Sequence, residues 1–321
     1  MSRPTVYVTL QQFCKQDARP REVLMRAGLS VRQNSLGRRP RREEMVEWLR
    51  DVDAVIAGVE PYDAELLAQL PRLRCISRCG IGTDSIDLEA ARRQEIAVFT
   101  TPDEVVHPVA ELTVGMVFAL ARNFPQHLSD LRAGRWEKRT GVLLAEWTIG
   151  LVGFGRIGRA VAEALRPFGP RLMAHDPALG ADDAPPFVQL RELEALLAEA
   201  DLVSLHAGRR PAEGTLIGAR ELALMKSGSF LVNTARGFLV DERALCEALE
   251  SDWIAGAALD VFESEPYHGP LARHPHVLCT PHVASLTSAS RAAMELRAAQ
   301  QVVGFFAQRQ TVDPVNASRS R

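Results

Sequence analysis

Three polar residues sit where strand-like apolar runs end in the second half of the chain, and together they could reduce a carbonyl. Arg236 closes "FLVNTARG", Glu265 lies within "GAALDVFESEP" just past Asp260, and His282 closes "VLCTPHVAS". An arginine that follows an apolar strand needs an anion to meet. A 2-oxo or 2-hydroxy acid offers one, a carboxylate beside the reacting oxygen. A guanidinium can hold that carboxylate in a fork and polarise the adjacent carbonyl. Hydride arriving at the carbon leaves an alkoxide that needs a proton, and an imidazole can give it or take it back. Glu265 beside His282 would favour the charged ring. Taken singly, each has a plain structural reading, a satisfied strand-end histidine or a turn begun at Glu265-Pro266. Their joint placement favours chemistry. The histidines show no ligand spacing, so no metal site is expected.

A hydride needs a carrier, and "GLVGFGRIGRAVAEAL" supplies a place for one. Gly153, Gly155 and Gly158 have the G-x-G-x-x-G spacing, with Arg156 and Ile157 between the last two, after a strand and opening a helix. The first glycine permits the tight turn, the second lets backbone approach a pyrophosphate, and the third lets helix and strand pack closely. The next strand ends in Asp176, where a carboxylate would accept from the adenosine ribose and repel a 2′-phosphate, so NAD is favoured over NADP. Arg209 and Arg210 follow the strand ending in His206 and could tolerate such a phosphate, but a solvated loop accounts for them better.

The elements that must position these residues read as α/β. Strands are expected near "TVYVTL", "LSVRQN", "AVIAG", "CISRC" and "AVFTT", with helices such as "REEMVEWLR" and "DAELLAQL" between them. A largely apolar helix spans 107–122, its character that of a helix buried between domains or subunits. A second series of strands begins at 148 with "TIGLVGFG" and continues through "RLMAH", "LVSLH", "SFLVNTA", "GAALDV" and "VLCTP". A last helix covers 287–308.

Bulk properties narrow the class. With 321 residues, 46% hydrophobic and 24% charged, the chain is of soluble globular type and long enough for two domains. A net charge of −2 gives no sign of nucleic acid or membrane as a partner. The start shows no secretory leader and no apolar run reaches spanning length. Cys14, Cys75, Cys79, Cys246 and Cys279 form an odd set without a C-x-x-C pair, which suits reduced thiols in a cytoplasm. The arginine cluster "GRRPRREE" reads as the opening of a solvated helix.

With these residues assembled, the sequence resembles the D-isomer-specific 2-hydroxyacid dehydrogenases over nearly its whole length. "LVGFGRIGRAVA" is similar to the family's cofactor motif, "FLVNTARGFLVDERAL" and "IAGAALDVFESEP" to its two later signatures, and "TPHVASLT" to the segment with its catalytic histidine. The resemblance implies that Arg236, Glu265 and His282 form the catalytic triad and that Asp260 lies near the nicotinamide carboxamide. Thr234, Ala235 and His206 join the glycine motif as cofactor contacts. "RCGIGTDSID" resembles the substrate loop, in which the N–H groups around Gly80, Ile81 and Gly82 would grip the substrate carboxylate. Two Rossmann-like domains with doubly wound parallel sheets are implied: a flavodoxin-like substrate domain, 1–100 plus 285–321, interrupted by an NAD-binding domain, 101–284. The catalytic cleft would lie at their joint, and a homodimer would form through the 107–122 helix.

The chain also departs from the family pattern. "HAGRRPAEGT" replaces a proline-containing loop on the adenine side, and the segment before the cofactor strand lacks the usual glycine-lysine-threonine. Leu112 stands where many members have histidine, as in phosphoglycerate-type enzymes. The loop "AGVEPYD", however, carries Glu60 and no arginine where a phosphorylated substrate would want a cation. A phosphoglycerate-type dehydrogenase and a non-catalytic NAD(H)-sensing relative therefore stand as alternatives. Formate-type members carry glutamine in place of Glu265 and fit less well.

Overall fold

The computed structural model describes residues 3–180, 182–208, 214–308 and 313–316. The chain divides into two compact units, Met1–Val105 with Ser285–Arg321, and Val106–Ala284. The second unit thus interrupts the first, and each is built on its own parallel sheet.

The first unit holds β1 (Thr5–Val8), β2 (Ser30–Gln33), β3 (Ala54–Ala57), β4 (Cys75–Arg78) and β5 (Ala97–Thr100), in the order β2-β1-β3-β4-β5. Every pairing is parallel. The central strand "AVIA" is buried at all four positions, as a strand covered on both faces must be. Val55, Ile76 and Val98 pack with Leu66 and Leu67 in the core. Asp63 and Asp87 cap the short helices Ala64–Ala68 and Leu88–Arg93 by accepting from amides in their first turns. The C-terminal helix Ser288–Phe306 belongs to this unit and is sewn to the sheet by Gln301. Its amide group accepts from Ser77 Oγ and donates to Thr100 O, both at 2.8 Å.

The second unit holds β6 (Thr148–Val152), β7 (Arg171–His175), β8 (Val188–Leu190), β9 (Leu202–Leu205), β10 (Ser229–Asn233), β11 (Ile254–Leu259) and β12 (Val277–Cys279), in the order β12-β11-β10-β9-β6-β7-β8. Its sheet is also parallel throughout. The direction of winding reverses between β6 and β9, so the turns after these strands flank the sheet's crevice. The three-residue β8 was not among the expected strands, because a run that short has no readable alternation.

The long helix runs Val106–Ala121 and buries Val109, Thr113, Met116, Val117 and Leu120, of which Met116, Val117 and Leu120 belong to the second unit's core. It is followed by an unexpected helix, Phe124–Arg132, which starts after a left-handed Asn123 and has Pro125 in its first turn. No described helix is long and apolar enough to cross a membrane.

Candidate active site

The turn after β6 has the shape its glycines require. Gly153 has φ +92°, and a Cβ there would stand 2.6 Å from Ala207 N, so the turn leans directly on the chain leaving β9. A Cβ at Gly158 would collide with Gly153 O, which makes the third glycine the contact between helix and turn. At Gly155, by contrast, the space is open for 4 Å. Gly155 is the N-cap of helix Arg156–Leu165, whose first amide groups have no partner within the helix.

Asp176, just past β7, reaches back to this turn. Its Oδ2 accepts from Phe154 N at 2.9 Å and its Oδ1 from Ala178 N at 3.0 Å. The carboxylate is half-buried and keeps lone pairs for hydroxyl donors. Open backbone, a helix N-terminus and a fixed acid beyond them fit the pyrophosphate and ribose of a dinucleotide.

His206 ends β9 on the other side of the Gly153 turn. Its Nε2 lies 3.0 Å from Ser204 Oγ, and its buried Nδ1 has no hydrogen-bond partner among the described residues. Desolvation pushes the imidazole down to about 4, so at neutral pH the ring is uncharged. Arg209 and Arg210 lie outside the described residues.

After β10 the chain folds a tight turn around Asn233, which is 1% exposed. Its side chain accepts from Ala235 N at 3.0 Å and donates to Arg236 O at 2.8 Å. Thr234 Oγ1 lies 2.8 Å from Thr113 Oγ1, which also bonds Val109 O at 2.7 Å, so the long helix supports this turn. The half-buried Arg236 donates from Nη1 to Ala235 O at 2.7 Å. Gly237 brings this turn against the next one, since a Cβ on it would collide with the Phe262 carbonyl. Arg236 and Glu265 are thereby carried on abutting loops.

Glu265 is held at both oxygens. Oε1 accepts from Phe262 N at 3.2 Å, and Oε2 lies 2.8 Å from His282 Nδ1. The His282 side chain is 44% exposed, so the ring's other nitrogen is open to a ligand. His282 itself has φ +54°, an uncommon conformation for a residue with a side chain. Asp260 maintains it. That acid is fully buried: its Oδ1 accepts from Val283 N at 2.8 Å and from the Thr280 hydroxyl, its Oδ2 from Ala284 N at 2.8 Å, and its carbonyl from His282 N at 2.8 Å. Expected as a cofactor contact, Asp260 is seen here bracing the turn that presents His282.

The structure thus brings Arg236, Glu265 and His282 to one edge of the second unit's sheet. Asn233, Gly237, Thr113 and Thr280, which shape that edge, were not singled out from the sequence. Asn233 alone carried a local signal, an asparagine at a strand end that can bond its own turn. Gly80, Ile81 and Gly82 belong to the first unit. Gly80 N donates to Thr101 Oγ1 at 2.7 Å and is spent, whereas the Ile81 and Gly82 amides have no protein acceptor among the described residues. Also among the described residues, no group of three or more His, Cys, Asp or Glu could hold a metal ion.

Comparison with known proteins places this geometry among relatives. A family model described as "D-isomer specific 2-hydroxyacid dehydrogenase, NAD binding domain" matches residues 114–284. The glyoxylate reductase of Thermofilum pendens is 36% identical over 325 residues, covering 95% of this chain and 92% of that protein. The D-3-phosphoglycerate dehydrogenase of Methanocaldococcus jannaschii is 37% identical over 267 residues, 81% of this chain but 51% of that protein. Among solved structures, the TT0316 protein of Thermus thermophilus superposes with a TM-score of 0.87 at 33% identity, covering 97% of this chain and 99% of that one.

Proposed function

The chain belongs to the D-isomer-specific 2-hydroxyacid dehydrogenase family, and from that premise we propose that it interconverts a small 2-oxo acid and its D-2-hydroxy acid, with His282 as acid–base and Arg236 as the carboxylate ligand. It is an NAD-dependent oxidoreductase, and the two-domain parallel α/β fold is that of the family. When bound, the cofactor supplies or accepts the hydride at the substrate's second carbon.

The observation that carries the proposal is the His282–Glu265 pair at 2.8 Å, set beside the Arg236 turn by Gly237. With Glu265 on Nδ1, that nitrogen bears a proton and Nε2 faces the ligand. In the reductive direction the imidazolium gives its Nε2 proton to the forming alkoxide. In the oxidative direction the neutral ring removes the hydroxyl proton. Glu265 aligns the ring and stabilises its charge in both. Arg236 binds the substrate carboxylate through its fork and draws electron density from the adjacent carbonyl. Within the first unit, the Ile81 and Gly82 amides have no protein acceptor among the described residues and can donate to an anion.

We further propose a homodimer. It is supported by the exposed apolar side chains that follow the long helix, among them Phe124, Leu131, Trp136 (81% exposed) and Leu143. The five free thiols suit a reducing cytoplasm.

The test is NADH oxidation by purified protein, followed by its near-ultraviolet absorbance, across glyoxylate, hydroxypyruvate, pyruvate, a branched 2-oxo acid and phosphohydroxypyruvate. Turnover of at least one is expected. Silence across the panel from protein that binds NADH would overturn the proposal.

A further inference from the structure

Of the residues that the long helix Val106–Ala121 buries, Thr113 alone is polar, and it is 0% exposed. Packing by itself would be served by valine, which has the same shape, because a buried hydroxyl is costly unless it is bonded. The helix gains nothing from it either, since a threonine that bonds back to its own turn slightly destabilises a helix. The hydroxyl therefore answers to something outside the helix.

Thr113 has one hydroxyl hydrogen, and its direction is fixed. Oγ1 lies 2.7 Å from the Val109 carbonyl oxygen, which can only accept, so Thr113 donates there. The contact between Thr113 Oγ1 and Thr234 Oγ1 at 2.8 Å must then run the other way, with Thr234 donating. Thr234 is 6% exposed and follows β10 directly. The next residue, Ala235, donates from its N to Asn233 Oδ1 at 3.0 Å, and its carbonyl accepts from Arg236 Nη1 at 2.7 Å. That carbonyl thus holds one end of the guanidinium, and a backbone rotation at Thr234 would swing it away.

We propose that Thr113 is a positioning residue for Arg236, a role that rests on the 2-oxo acid reading of the site. By accepting from Thr234, it fixes the turn whose Ala235 carbonyl aims the guanidinium. A fork binds a carboxylate through two parallel bonds, so an error in its aim weakens both bonds together. The Gly155 turn and Asp176 follow β6 and β7 and stand outside this chain of contacts. Loss of the Thr113 hydroxyl should therefore be felt by the oxo acid and not by the dinucleotide.

The test measures kcat/KM for the preferred oxo acid, and NADH affinity by fluorescence, in Thr113→Val, Thr113→Ser and Thr113→Val combined with Arg236→Ala. Thr113→Val keeps the shape of the side chain and removes the acceptor. It should lower kcat/KM by about fivefold or more, the scale of one lost buried hydrogen bond. NADH affinity should stay within about twofold, as for sites that share no partner. Thr113→Ser keeps the hydroxyl and should recover the wild-type kcat/KM to within about twofold. Added to Arg236→Ala, Thr113→Val should cost less than about twofold more, because the group it aims is gone. Thr234→Val removes the same bond from its other end and should reproduce the kcat/KM loss, which keeps the test open if Thr113→Val fails to fold. Wild-type kcat/KM in Thr113→Val overturns the inference whatever the melting temperature. So does a serine variant as impaired as the valine one, or a full additive loss in the double variant, which would mark a general loosening. Failure of the wild type on every oxo acid would instead overturn the reading of the site, and this inference with it.

Discussion

The two sheets of this protein end in different chemistry at their carboxyl edges. On the second unit, the edge presents side chains, and other side chains fix them. Asp260 holds the turn of His282, Glu265 holds the ring, and Asn233 shapes the turn of Arg236. On the first unit, the edge presents backbone amides at Ile81 and Gly82, with the buried acid Glu60 nearby. One edge gathers side chains able to exchange a proton, and the other offers amide donors with no protein acceptor among the described residues. The difference teaches that a reactive group needs a second layer of bonded partners, whereas an amide in a turn is positioned by the fold alone.

Breaking the side-chain edge should have the largest effects. Arg236→Ala is expected to lower kcat/KM for the preferred oxo acid by about 10²- to 10³-fold, the scale of a lost charged donor at a reacting carbonyl. KM should rise and kcat should fall together, and steady-state kinetics with wild-type values would remove Arg236 from the site.

Asp260→Asn sharpens the claim that His282 depends on its support. An amide in place of the carboxylate turns an NH₂ toward a buried N–H, which costs about 1–3 kcal/mol. Turnover should drop by about tenfold or more as the left-handed turn of His282 loosens, on the scale of that lost support, and melting should shift downward. Full activity in that variant would show that the turn holds itself.

Gly237→Ala tests whether the Arg236 and Glu265 turns must touch. With a Cβ driven into the Phe262 carbonyl, backbone has to move. Overpacking of this kind costs about 1–3 kcal/mol, readable in denaturant melts, and an unaltered midpoint would contradict the contact.

The smallest effect concerns the cofactor turn. His206 has its affinity for a proton lowered from 6.5 to about 4 by burial, so the unfolded chain binds the proton first as pH falls. The stability it contributes is complete above 6.5 and is lost progressively as pH falls through about 4. His206→Gln should therefore flatten the acid side of a melting-temperature profile, and an identical profile would mean that the ring is not buried in solution.

How much of this was legible in the sequence follows the same division. Arg236, Glu265, His282 and the glycine motif could be read because their residue types are rare at strand ends and their spacing is tied to chemistry. The parallel sheets could be read because buried strands such as "AVIA" are continuous apolar runs. Other features had no such mark. Asp260 reads as a cofactor contact from its type and place, and only the folded chain shows that its oxygens also accept from the 280–284 turn. Gly80 shares its loop with Ile81 and Gly82, yet its amide is spent on Thr101, a pairing 21 residues away in sequence that no local pattern encodes. Glu60 read as the lack of an arginine, and its burial between Thr9 and Gly58 depends on the pairing of β1 with β3.

The central claim is that His282 carries the proton, and His282→Asn tests it most directly. Asparagine keeps a polar side chain in the left-handed turn, a conformation it tolerates well, but offers no ionisable nitrogen. NADH affinity, measured by fluorescence, should stay within about twofold, while turnover of the oxo acid falls by about 10²-fold or more. Turnover equal to wild type, with NADH bound as before, would place the proton donor elsewhere and contradict the account.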